Sequence, residues 1–147
     1  MSRIKTGFVA GLITVTTTTL LNLVCRAIGL LGENMDLKRL GSFLIDPVRN
    51  PAVALLLGLV IHVAAGTVLG TLYAVLVRSY RVVTGMLFML AFWLLVMLVV
   101  APLMKQGILG LQQGLSLPIA TFALHMVFGA ILGWIAGKMG VPSRRRA

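Results

Sequence analysis

The chain has two histidines, and both stand inside long apolar runs at the same place in a repeated pattern. "IHVAAGTVLGTLY" (61–73) and "LHMVFGAILGWIA" (124–136) each read His-x3-Gly-x3-Gly. Two imidazoles on facing helices of a bundle can hold the iron of a b-type haem, and a nearby glycine leaves room for the porphyrin edge. His62 and His125 are equivalent in the pattern and would supply both axial ligands. Two features oppose this chemistry. No arginine or other propionate partner lies close to either histidine in the sequence, and a tight glycine crossing of the two helices one turn away would leave no gap for a macrocycle. A neutral imidazole donating to a neighbouring carbonyl is, by contrast, an inexpensive structural residue. The expectation is no cofactor, with a bis-histidine haem b electron-transfer subunit as the alternative.

Other chemistry is poorly supplied. The three acids, Glu33, Asp36 and Asp46, lie outside the apolar runs, whereas ion-coupled transport usually needs an intramembrane carboxylate. Ser2, Ser42, Ser79, Ser116 and Ser143 stand at ends or in connections, so no serine nucleophile sits beside a base within the membrane. Two histidines with so few acids cannot complete a zinc or carboxylate site, and no metal is expected. The single Cys25 excludes an intrachain disulfide and reads as a small buried apolar residue. No enzyme is expected.

The elements that must position the histidines follow from composition. Of 147 residues, 59% are hydrophobic and 11% charged, where a soluble domain would have roughly 25% charged. The apolar runs at about 7–31, 52–77, 83–104 and 118–138 each supply the ~20 residues that cross a bilayer core. Backbone groups in lipid must bond within their own segment, so each run is a helix. Pro51 and Pro118 stand at helix starts, where a missing N–H is harmless. The first run is too long for a cleaved signal peptide and lacks a small-x-small exit. The chain is therefore a single all-α domain of four transmembrane helices. In the 32–51 connection, Leu37, Leu40 and Leu44 recur at helical spacing beside Phe43, after Asn34 as a cap, which predicts a short interfacial helix.

The net charge of +10 does not indicate nucleic acid, because the basic residues flank apolar runs and form no stripe with interleaved aromatics. Eight of the thirteen (Arg3, Lys5, Arg78, Arg81, Lys138, Arg144, Arg145 and Arg146) fall on one side of the membrane. Arg26, Lys38, Arg39, Arg49 and Lys105 fall on the other. The bias predicts cytoplasmic termini, with Arg144, Arg145 and Arg146 touching lipid headgroups.

The pattern extends beyond the histidines. Gly58, His62, Gly66, Gly70 and Ala74 match Thr121, His125, Gly129, Gly133 and Gly137, four residues apart in each copy. Two helical hairpins repeated in parallel would produce this, with a pseudo-twofold axis along the membrane normal. Small residues every fourth position let backbones approach closely, so Gly58, Gly66, Gly70, Gly129, Gly133 and Gly137 are helix-packing residues. The matched stripes predict that the second and fourth spans cross along Gly66/Gly70 and Gly129/Gly133. Gly7, Gly11, Thr18 and Asn22 form a comparable face on the first span, while the third looks most exposed to lipid.

The segments "GFVAGLITV", "HVAAGTVLGTLYA", "APLMKQGILG" and "HMVFGAILGWI" resemble the YagU-like group of small four-helix bacterial inner-membrane proteins and its relatives. The resemblance covers most of the chain. It implies four spans in a bacterial inner membrane and brings no catalytic residues. The expected role is a scaffold, accessory subunit or homo-oligomer in the lipid bilayer. The rival role is a small solute channel lined by Thr18, Asn22, Thr67 and Thr71.

Overall fold

A computed structural model describes residues 2–29, 37–42 and 50–140. The chain is all-helical, with no strand among the described residues: α1 (Arg3–Ala27), α2 (Leu37–Gly41), α3 (Pro51–Leu76), α4 (Val82–Leu95), α5 (Ala101–Leu103) and α6 (Ser116–Met139). Val96–Val100 forms a π-turn that joins α4 and α5 into one span, and Ile108–Gln113 is a 3-10 helix. Four segments, Arg3–Cys25, Pro51–Leu76, Val82–Leu103 and Ser116–Met139, are long and apolar enough to cross a membrane. At 1.5 Å per residue even the 22-residue third span covers roughly 33 Å, against a ~30 Å hydrocarbon core. The third span is also the least buried of the four.

Local chemistry accounts for the ends and irregularities. α1 begins at Arg3, four residues before its apolar run, because long basic side chains can lie along the helix and reach the interface. Its β-branched "TTTT" segment would be a weak helix former in water. Here the hydroxyls bond carbonyls one turn back, Thr16 Oγ1 to Leu12 O at 2.8 Å and Thr19 Oγ1 to Val15 O at 2.7 Å. Pro51 occupies the first turn of α3, and α4 starts where the Arg81 N–H donates to Thr84 Oγ1 at 3.0 Å. The π-turn precedes Pro102. Proline has no N–H for the carbonyl four residues earlier and its ring crowds that carbonyl; the helix widens, and the Ala101 N–H bonds Val96 O instead. The connection after α5 turns through left-handed Gly107, Gly110 and Gly114, and also through Lys105 and Leu109. α6 then starts at Ser116, so Pro118 lies within its first turn rather than at its first residue.

α1 packs along α3 and α6, and α4 packs along α6. α3 meets α4 through side chains: Tyr73 and Phe88 have ring centroids 5.5 Å apart, and Tyr73 Oη lies 2.9 Å from Thr84 Oγ1. Around the bundle the order is therefore α1, α3, α4–α5, α6, with α3 and α6 on a diagonal. One core holds Ala10, Val15, Tyr73, Met89, Phe128, Leu132 and Ala136.

This order corrects the expected crossing of the second and fourth spans. Gly66 and Gly70 face α1, not α6: a Cβ on Gly66 would lie 2.5 Å from Val15 Cγ2, and one on Gly70 would overlap Gly11 Cα. Gly129 and Gly133 face the start of α4: a Cβ on Gly129 would lie 2.5 Å from Gly85 O, and one on Gly133 would overlap Arg81 O. Each glycine stripe thus seats the span that precedes it in its own hairpin. The short helix α2 lies against α3, where Gly41 meets Ala54 and Gly58 meets Leu37. Asn34, Phe43 and Leu44, read as its cap and apolar face, lie outside the described residues.

Candidate functional site

His62 and His125 lie near the middles of α3 and α6, both half-buried. His125 Nδ1 is 2.7 Å from Thr121 O. A carbonyl only accepts, so Nδ1 carries the hydrogen, and in the neutral ring Nε2 keeps its lone pair. Phe92 flanks the same ring, with centroids 6.0 Å apart. His62 makes no hydrogen bond to another described residue. The register that seats Val15 on Gly66 carries the next turn of α1, Thr18 and Thr19, to the level of His62.

The arrangement can do a limited set of things. α3 and α6 each carry one imidazole near mid-span, and side chains on different helices of a bundle can together hold a group. The glycines beside the histidines draw α3 to α1 and α6 to α4, so they do not close the α3–α6 diagonal. That steric objection to a macrocycle therefore falls. No group of three or more His, Cys, Asp or Glu side chains able to hold a metal occurs among the described residues.

The residues read as a polar channel lining are placed differently from one another. Thr18 on α1 and Thr67 on α3 are buried. Thr18 Oγ1 donates to Thr14 O at 2.9 Å, Thr67 Oγ1 to Val63 O at 2.8 Å, and Thr71 Oγ1 to Thr67 O at 3.0 Å. Asn22 is half-buried on α1. Thr67 and Thr71 line, with Phe8, Leu12, Ala64 and Val68, an apolar groove of about 750 Å³ between α1 and α3. A hydroxyl bonded to its own helix offers little to a passing solute, so these threonines present mainly methyl groups. On α6, Thr121 accepts from Trp93 Nε1 at 3.1 Å and donates to Leu117 O at 2.8 Å, tying α4 to α6 one turn from His125.

Gly58, Gly66, Gly70, Gly129 and Gly133 sit at the close contacts described above, and Gly137 is more open, a Cβ there having Tyr80 O as its nearest neighbour at 3.0 Å. Arg144, Arg145 and Arg146 lie outside the described residues. Sequence reasoning missed the groove, whose lining comes mostly from α3, with Phe8 and Leu12 from α1, and has no polar marker. It also missed Arg3 as more than an orientation signal: its Nη1 donates to Val75 O at 3.4 Å, bridging the first turn of α1 to the last turn of α3.

The chain matches a family of unknown function, DUF6789, over residues 1–145, and it belongs to that family. Neither a curated protein nor a solved structure matches it.

Proposed function

We propose that the chain is a non-catalytic subunit of a bacterial inner membrane, with both termini cytoplasmic, acting by association as a scaffold, accessory subunit or homo-oligomer. The likeness to the YagU-like group belongs to the same reading, as does an origin of the two hairpins by duplication. The observation that carries it is the state of the intramembrane hydroxyls. Those of Thr14, Thr16, Thr17, Thr18, Thr19, Thr67, Thr71 and Thr121 return to carbonyls of their own helices, and that of Thr6 is buried in the core without a partner. Such bonds leave the helix faces apolar and suited to contact with lipid or other helices. They leave few groups to conduct a solute or attack a substrate. Liposomes containing the purified chain should accordingly show no specific flux of small ions or neutral solutes above empty liposomes. Specific flux that Asn22→Leu abolishes would establish the channel instead.

A second reading has one observation in its favour: His62 and His125 stand near the middles of α3 and α6, which no glycine contact among the described residues draws together. On that reading they are the axial ligands of haem b in an electron-transfer subunit. We favour structural histidines because no propionate partner adjoins either in sequence; the bond from Nδ1 of His125 to Thr121 O suits both readings, since it leaves Nε2 free. Protein from haem-supplemented cells should be colourless. His62→Gln should fold nearly normally, since Gln keeps a donor and an acceptor. A stoichiometric Soret band lost in both His62→Ala and His125→Ala would overturn the structural assignment.

A further inference from the structure

We propose that the groove between α1 and α3 holds one acyl chain of an anionic phospholipid, whose phosphate rests on Arg3 and Lys5 at the groove's end. Among the described residues the lining is apolar, because its polar side chains, Thr67 and Thr71, have hydroxyls turned to their own helix. Small Ala64 and Thr67 lie between the bulkier Phe8, Leu12, Leu59 and Leu72, so the groove is a channel for a narrow chain. It extends along α3 from Leu72 to Leu59, roughly 20 Å at 1.5 Å per residue, somewhat more than one leaflet of a ~30 Å core.

Charge selects the occupant. Lys5 is exposed and stands three residues before Phe8, on the same face of α1. Arg3 is exposed and donates to Val75 O, one turn beyond Leu72. Its remaining N–H groups match the geometry of a phosphate. Both cations therefore lie at the same end of the groove, at interfacial depth. A spanning partner helix fits less well. It would cover both leaflets, whereas the groove ends near Leu59 and exposed Leu55 and Leu56 continue beyond it.

The full chain, reconstituted in vesicles of equal phosphatidylglycerol and phosphatidylcholine and extracted gently, can be weighed by native mass spectrometry. One phosphatidylglycerol should remain per chain, preferred over phosphatidylcholine about tenfold. Arg3→Gln with Lys5→Gln, both at exposed positions, should erase that preference. Ala64→Phe, also at an exposed position, should abolish retention, with circular dichroism verifying the helices. Equal retention of the two lipids by the unaltered chain would overturn the proposal, as would undiminished retention in folded Ala64→Phe. So would a disulfide joining two copies through Ala64→Cys in a Cys25→Ser background, which would place a second chain in the groove.

Discussion

Gly129→Ala should lower stability by about 1–3 kcal/mol, and Gly70→Ala by a similar amount, although alanine is the better helix former by ~1 kcal/mol. The reason is the kind of atom each new methyl would meet. At Gly129 it meets backbone, Gly85 O at 2.5 Å and Met86 Cα at 2.8 Å; at Gly70 it overlaps Gly11 Cα. Backbone cannot rotate aside as a side chain can, so the helices of each hairpin must separate along their length. Gly66 differs, because its methyl would meet the side chain of Val15, which is fully buried. Gly66→Ala should therefore be partly rescued by Val15→Ala, whereas no side-chain truncation should rescue Gly70→Ala. Gly137→Ala, with a nearest neighbour at 3.0 Å, should be the mildest of the set. Reversible unfolding of the detergent-solubilised chain by dodecyl sulfate would rank them. A neutral or stabilising Gly129→Ala would mean that α4 and α6 are not in this contact.

The number and nature of the helices were legible because lipid leaves the backbone little choice, and length and hydropathy then count the spans. Which span packs on which was not. A stripe such as Gly58, Gly66 and Gly70 says that something comes close and does not say what, since another stripe and a neighbouring helix satisfy it equally. The complementary signal was present in Gly7, Gly11 and Gly85, which are spaced to meet Gly70, Gly66 and Gly129 within sequential hairpins. Sequential elements are usually neighbours in space, and that rule would have outweighed the matched histidine stripes. The histidines themselves were legible as mid-span residues of α3 and α6. Their placement on diagonal helices was hidden by the same error, the assumption of a direct α3–α6 crossing. The groove had no signature at all, being made of ordinary apolar residues from two spans whose adjacency had to be known first.

Tyr73→Ala should be the most damaging single truncation in the core, costing about 3 kcal/mol or more, while Tyr73→Phe should cost only about 1 kcal/mol. Tyr73 is fully buried and touches both neighbours in the α3–α4 hairpin. Its ring lies 5.5 Å from those of Tyr80 and Phe88, and its hydroxyl lies 2.9 Å from Thr84 Oγ1. Lipid tails are as apolar as a protein core, so helix association here rests on packing rather than on expulsion of water. Deleting the ring removes that packing where α3 meets α4, a junction of side chains with no glycine contact to hold it. The hydroxyl adds less, because Thr84 keeps Ser79 O at 2.8 Å and Arg81 O at 2.9 Å as acceptors when the tyrosine oxygen is gone. Dodecyl sulfate titration of the two variants separates ring from hydroxyl. If Tyr73→Phe proved as harmful as Tyr73→Ala, the hydrogen bond would be the principal tie between the helices. Thr84→Val should then reproduce the loss; if packing dominates, Phe88→Ala should do so instead.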